Sequence, residues 1–305
     1  MVSSAPPPTS LLVLGPALVD HVQGPEAAPV SARPGGNGLI FAGTAALLGA
    51  HVRFAGQRGD DEAGRSLRNH LAGLGVDVGG FLPLPGVPTK RADIVLDESG
   101  AWRTAGTAPA RFPYLPPPAL PAGIARVQIM GLTSLLRACP DRLAAWIAAV
   151  REAGLPLGVG LNRLDAAEGP AVDALLGPAD AVFCNAAEWH AWRGTPADPE
   201  RGLEGGPGGD LHVSLGAGGV LARSAGGRCF HRPAPRVRAR CTLGAGDVLC
   251  AAIVLLRAAG LDLPEAVEEA QALAAGRVRH PGWDDWAARD PALLARLRAR
   301  ISPPG

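Results

Sequence analysis

Lysine is all but missing from this chain. Lys90 is the only one among 305 residues, and every other basic side chain is arginine or histidine. That scarcity has consequences. A Walker-type phosphate loop needs Gly-Lys-Ser/Thr, and Lys90 follows Thr89, so such a nucleotide site is excluded. A Schiff-base lysine could only be Lys90. Charge imbalance is also missing. A formal net charge of +1 gives no electrostatic footprint for nucleic acid or an acidic membrane surface. The five cysteines, at 139, 184, 229, 241 and 250, are odd in number and include no C-x-x-C pair. The short spacing that zinc and thiol-redox sites use is therefore missing, and buried reduced thiols rather than ligands are expected at Cys184, Cys241 and Cys250. The start, "MVSSAPPPTS", lacks the basic region of a signal peptide, and "VLCAAIVLL" is far short of the ~20 residues of a membrane helix. A soluble cytoplasmic protein is expected.

What is present is a dense, ordered alternation of apolar segments. "LLVLG" (11–15) reads as a buried strand, 37–50 as an apolar helix closed by glycine, and 52–57 as a second strand. Residues 60–76 open on acidic capping residues and carry Leu67, Leu71 and Leu74 on one face, an amphipathic helix ended by Gly75. Residues 90–104 read as two short strands joined at Glu98–Gly100. From Val127 onward strands at 127–131, 157–161, 181–185 and 211–216 alternate with helices near 140–153, 171–176 and 186–193. A connection without periodicity (194–210), a hairpin near 219–231, and helices near 245–259, 264–280 and 290–300 complete the chain. Repeated strand–helix units predict an α/β fold with a mostly parallel sheet covered on both faces. The early hairpins do not fit inside that sheet and are expected as a small antiparallel lid at its edge. One domain over 1–305 is expected, with lid segments at about 16–34 and 84–108 and a flexible tail at 1–9.

In such sheets ligands bind beyond the carboxyl ends of the strands, and three segments fall there. Gly244-Ala245-Gly246-Asp247 stands at a helix start, where free N–H groups and the helix dipole favour an anion. The same field stabilises ionised Asp247, so a proton acceptor lies beside a phosphate seat; the plainer reading is a helix cap. Asn185-Ala186-Ala187-Glu188 follows the strand "AVFC" and puts an amide and a carboxylate on one helical face, suited to a hydrated Mg²⁺ or, again, to capping. "RPGGNGL" (33–39) offers backbone amides and the Asn37 side chain before a helix, or is simply a tight turn.

The order of these segments resembles the ribokinase-like carbohydrate kinases, the PfkB family, over roughly residues 11–283. "GGNGLIFAGTAALLGAHVRFAGQRGDDEAGRSLRNHLAGLGVDV" is similar to the family's first signature. "GVPTKRADIVLDESGAWRT" is similar to its lid segment, "CNAAE" to its N-x-x-E motif, "VSLGAGG" to its nucleotide-side turn, and "CTLGAGD" to its D-T-T-G-A-G-D signature. The resemblance implies a three-layer α/β/α sandwich with a small antiparallel β lid. It implies an enzyme that moves the γ-phosphate of ATP to a primary hydroxyl of a sugar or nucleoside. Asp247 would be the base, and the amides of Gly244, Ala245 and Gly246 the anion hole. Glu188, with Asn185, would position Mg²⁺ through water. Asp20, Gly36 and Asn37 would bind the acceptor, and Gly216 and Gly218, with Gln271, would lie on the adenine side. It also suggests a homodimer through the lid edges.

Three departures stand out. Cys241 replaces the leading Asp that binds an activating monovalent cation in many members, which argues against potassium activation. Ile40 replaces the second Asn of G-G-x-x-x-N, and Leu18 a polar residue two before the substrate Asp. Both trade hydroxyl partners for apolar wall, which disfavours ribose itself. Two alternatives stay open here: a nucleoside kinase of the same fold, and a weakly active ligand-binding or regulatory member.

Overall fold

The computed structural model describes residues 10–24 and 30–301. The tail at 1–9 and the middle of the first lid segment, 25–29, lie outside the described residues.

The N-terminal strand shows how the layers are made. In β1 (Ser10–Leu14) every residue is buried. Because successive side chains point to opposite faces, Leu11 and Val13 join one hydrophobic core while Leu12 and Leu14 join another. Strand β1 lies within a nine-stranded sheet. Its parallel neighbours are β4 (His51–Gly59) and β8 (Arg126–Met130), with β5 (Asp77–Leu84) beyond β4. On the other side β9 (Leu157–Gly160), β10 (Ala181–Asn185) and β11 (Asp210–Ser214) continue parallel. An antiparallel hairpin, β12 (Val220–Arg223) and β13 (Cys229–Arg232), closes that edge.

The first core packs α1 (Asn37–Leu47), α2 (Glu62–Gly73), α7 (Ala245–Ala258), α8 (Leu263–Val278) and α10 (Pro291–Ile301) on one face. The second packs α4 (Pro140–Glu152), α5 (Gly169–Leu176) and α6 (Ala186–Arg193) on the other. Short helices α3 (Leu132–Ala138) and α9 (Asp285–Arg289) complete the set. Every residue from Asp247 to Leu256 of α7 is buried, which explains its apolar composition. Among the described residues no helix is long and apolar enough to cross a membrane.

The lid is a separate four-stranded sheet of order β3-β2-β6-β7, with β2 (Leu18–Gln23), β3 (Ser31–Gly35), β6 (Arg91–Leu96) and β7 (Trp102–Ala108). Both hairpins, β2–β3 and β6–β7, are antiparallel as expected, but the central pair β2–β6 runs parallel. Both of its strands follow parallel strands of the main sheet, β1 and β5, and so leave in the same direction. The expected connection 194–210 holds no helix or strand before β11 begins at Asp210, only an isolated bridge between Asp198 and Gly202.

Candidate active site

Strand ends and the lid enclose a cavity of about 180 Å³, lined by Asp20, Gly36, Asn37, Gly244 and Asp247 among others. Five residues anticipated far apart in sequence thus meet in one place. The cavity is smaller than the roughly 300–1,000 Å³ of sites for drug-sized ligands. Its walls include Leu18, Ile40, Ile94, Trp102 and Leu243.

Helix α7 begins at the cavity. Gly244 is its N-cap in the left-handed conformation, φ 79°. A β-carbon there would lie 2.8 Å from Ile40 Cδ1, so the apolar Ile40 and the glycine fit each other. The first-turn amides need partners from outside the helix. Ala245 N–H donates to the Thr242 carbonyl at 3.1 Å, closing the preceding turn. Its amide is therefore spent in this structure. The amides of Gly244, Gly246 and Asp247 make no hydrogen bond among the described residues, so these three are the donors left for an anion.

Asp247 is buried, and Asn37 Nδ2 donates to its Oδ1 at 2.9 Å. Burial raises its pKa to about 7; the Asn37 hydrogen bond pulls back, Glu188 and Asp20 push further up, and the Arg277 charge opposes them. Asp20, on lid strand β2, is raised to about 7 in the same way, by burial against the opposing charges of Arg163 and Arg33. Asn37 stands at the start of α1. The Pro16 carbonyl accepts from Gly38 and Leu39 N–H there at 3.0 and 3.2 Å, so the glycine turn contributes side chains to the cavity more than free amides.

Glu188 and Asn185 form a capping box at the end of β10. Glu188 N–H donates to Asn185 Oδ1 at 2.9 Å, and Asn185 N–H donates to Glu188 Oε2 at 3.0 Å. Glu188 Oε1 accepts from Arg163 N–H at 3.1 Å. Burial raises the Glu188 pKa, and these hydrogen bonds restrain it. The capping role is real, yet each carboxylate oxygen keeps a lone pair. No group of three potential metal ligands occurs among the described residues. One carboxylate and one amide oxygen suit a magnesium ion that keeps most of its waters, as this ion ordinarily does beside phosphates. The residues present fit that ion.

Arg163 is one residue that sequence reasoning missed. It follows β9, lines the cavity, and holds a positive φ of 49°. Such a backbone costs a non-glycine residue about 1–2 kcal/mol, so its surroundings must hold it there. They do so from two sides. Its N–H binds Glu188, and its guanidinium binds Thr104 Oγ1 on lid strand β7. Lys90 also lines the cavity, with Nζ donating to the Pro109 and Ala110 carbonyls at 3.0 Å each; burial and the Arg163 charge lower its pKa. The lid is tied to the anion seat as well. Thr242 N–H and Oγ1 both donate to the Gly100 carbonyl, at 2.9 and 3.0 Å. Gly100 has φ 77°, and a β-carbon there would meet the Arg240 carbonyl carbon at 2.8 Å.

Gly216 and Gly218 form a single 3₁₀ turn after β11, outside this cavity, and the His231 ring lies 2.7 Å from the Gly218 carbonyl. Gln271 is buried on α8 and donates to the Arg232 carbonyl at 3.0 Å, which braces the edge strand β13. Cys184, Cys241 and Cys250 are free and buried, as the composition led us to expect.

A deep carboxylate beside free helix amides, closed over by a lid at the strand ends, defines a group-transfer site. The family model of the pfkB family carbohydrate kinases matches residues 10–287, and the chain belongs to that family of kinases. Solved structures agree in fold. The aminoimidazole riboside kinase of Salmonella enterica, complexed with aminoimidazole riboside and an ATP analog, is 27% identical; the match covers 96% of this chain and 99% of that one, with a TM-score of 0.73. The ribokinase of Cryptococcus neoformans with ADP is 19% identical over 94% and 98%, with a TM-score of 0.76. The Arabidopsis thaliana ribokinase with ribose and ATP is 21% identical over 95% and 99%, with a TM-score of 0.73.

Proposed function

We propose that this kinase moves the γ-phosphate of ATP to a hydroxymethyl group of a sugar or sugar derivative, with Asp247 as the base. The observation that carries the reading is the placement of Asp247. It is a buried carboxylate with a pKa of about 7, steadied by Asn37, in the first turn of a helix whose neighbouring amides are unspent. A base poised near the working pH is what proton abstraction from an alcohol requires. In the transfer the hydroxyl proton passes to Asp247, the acceptor oxygen bonds to the γ-phosphorus, and the bond to the bridging oxygen breaks to release ADP. The amides of Gly244, Gly246 and Asp247 meet the charge on the phosphoryl oxygens, where fixed donors count most. Asp20 and Asn37 orient the acceptor. Glu188 and Asn185 would hold a hydrated Mg²⁺, which when bound neutralises phosphate charge. Gly216 and Gly218 would border the adenine, with Gln271 bracing the strand behind them.

A riboside acceptor is the second reading. The apolar walls of the cavity, Leu18, Ile40, Ile94 and Trp102, favour it, and so does the likeness to a riboside kinase. The two readings separate in one assay: ADP release with Mg-ATP across sugars, ribosides, and acceptors carrying a carboxylate or phosphate, the last because Lys90 and Arg163 face the cavity. One class should stimulate turnover well above the ATPase background. Equal ADP release with every acceptor and with none would sink both readings, because the lid is there to keep water from the phosphate.

A further inference from the structure

Arg277, on α8, is 1% exposed, yet its hydrogen bonds go to no carboxylate among the described residues, and Asp285 acts on it only through its charge. Its guanidinium is instead ringed by neutral oxygen. Nη1 donates to the Cys241 carbonyl at 3.1 Å and to the His280 carbonyl at 2.9 Å, and Nη2 donates to the Leu243 carbonyl and lies 3.8 Å from Cys241 Sγ. Burying a charge without a hydrogen-bonded counter-ion costs several kcal/mol, and here the carbonyl dipoles, with Cys241 and the charge of Asp285, offset it. Converging backbone carbonyls are also the means by which proteins hold monovalent cations. Two of these carbonyls, and the thiol, belong to the 241–243 turn that runs directly into Gly244.

We propose that Arg277 is a built-in cation that sets the 241–243 turn, and through it positions the Gly244 and Gly246 amides and Asp247, doing internally what a bound monovalent ion would do. The inference rests on the reading of Asp247 as the base. Cys241 is part of the arrangement. An aspartate at that position would neutralise the guanidinium, whereas the thiol leaves its field to reach Asp247, whose proton affinity the Arg277 charge lowers. Arg277 acts through the turn and the field; it is a positioning residue.

The test compares Arg277→Lys with Arg277→Gln, and both with Arg277→Ala, in potassium and in tetramethylammonium chloride at equal ionic strength. Arg277→Lys keeps the charge and should stay within about 10-fold of wild type in kcat, while Arg277→Gln should fall about 10²-fold or more, as when an oxyanion donor is lost. A role in packing alone would treat Lys and Gln alike. The acidic limb of the pH–rate profile should move to higher pH in Arg277→Gln. The groups that face Asp247 are Asn37, Asp20, Glu188 and Cys250, and those facing Arg277 are Cys241, Asp285 and Arg33; all are unchanged in that variant. Potassium should raise the melting temperature of Arg277→Ala and restore part of its turnover, and should leave wild type indifferent. The melting arm needs no activity, so it decides the matter even if no acceptor turns over in wild type and the kinase reading itself fails. Equal kcat and pH profiles for the Lys and Gln variants, no potassium effect on Arg277→Ala melting, or several-fold potassium stimulation of wild type would each overturn the proposal. If Arg277→Ala does not fold, the Lys–Gln pair decides it.

Discussion

Asp247→Asn should abolish nearly all turnover and at the same time make the protein harder to melt. The loss in kcat should be roughly 10²–10⁴-fold, the contribution of a positioned base, with acceptor binding changed far less because Asp20 and Asn37 remain. The stability gain follows from the sign of the pKa shift. The Asp247 carboxyl titrates at about 7 in the folded protein, against ~3.9 for an unfolded aspartate. Between those values the unfolded chain gives up a proton that the folded one keeps, so rising pH costs stability across that window. Asparagine has no proton to lose. Asp247→Asn should therefore melt several degrees higher than wild type at pH 8, since ~1 kcal/mol moves Tm by roughly 1.5 °C in a chain of 305 residues, and the gap should close towards pH 4. In wild type kcat/KM should fall as pH drops through about 7. An unchanged acidic limb, or equal melting at both pH values, would contradict the assignment of Asp247 as a buried base.

Gly244→Ala should be nearly as damaging, for a steric reason. The residue sits at φ 79°, which costs an alanine about 1–2 kcal/mol. Its new methyl would stand 2.8 Å from Ile40 Cδ1, an overpacking of about 1–3 kcal/mol. Either response displaces the first-turn amides, so kcat should fall about 10²–10³-fold, with a lower Tm. Ile40→Val removes the offending Cδ1 and should restore part of the loss in the Gly244→Ala background, although alone it costs about 0.5–1.5 kcal/mol. The double-mutant cycle should show clear coupling in both Tm and kcat. Strict additivity would mean that Ile40 and Gly244 are not packed as described.

Much of this molecule was readable from its chain. Short uninterrupted apolar runs bounded by turn residues, such as 11–14 and 181–184, fit strands covered on both faces, and glycine and capping residues marked most helix ends to within a few residues. Strand β5 was not readable. Gly79, Gly80 and Pro83 interrupt its pattern, and an edge position tolerates what a central strand would not. The seven-residue α3 was too short to show a period.

The site divides in the same way. Asn37, Gly244 and Asp247 stood in segments that local chemistry singles out, Asp20 came only from the family resemblance, and the four meet in one cavity. What no local pattern holds is which groups are already spent. Ala245 gives its amide to Thr242, and Asn37 serves the base as well as the cavity. Arg163 and Arg277 were invisible for the same reason. Each looks in sequence like one arginine among many, and only burial, a positive φ and distant partners set them apart.

The most direct measurement follows labelled γ-phosphate from Mg-ATP, using the best acceptor of the panel beside its analogue lacking the hydroxymethyl oxygen. Label should arrive on the acceptor in step with ADP, the deoxy analogue should bind but receive none, and Asp247→Asn should stop the transfer. Label that appears only as inorganic phosphate, at the same rate with either compound, would mean that Asp247 and its amides do not pass phosphate to an alcohol.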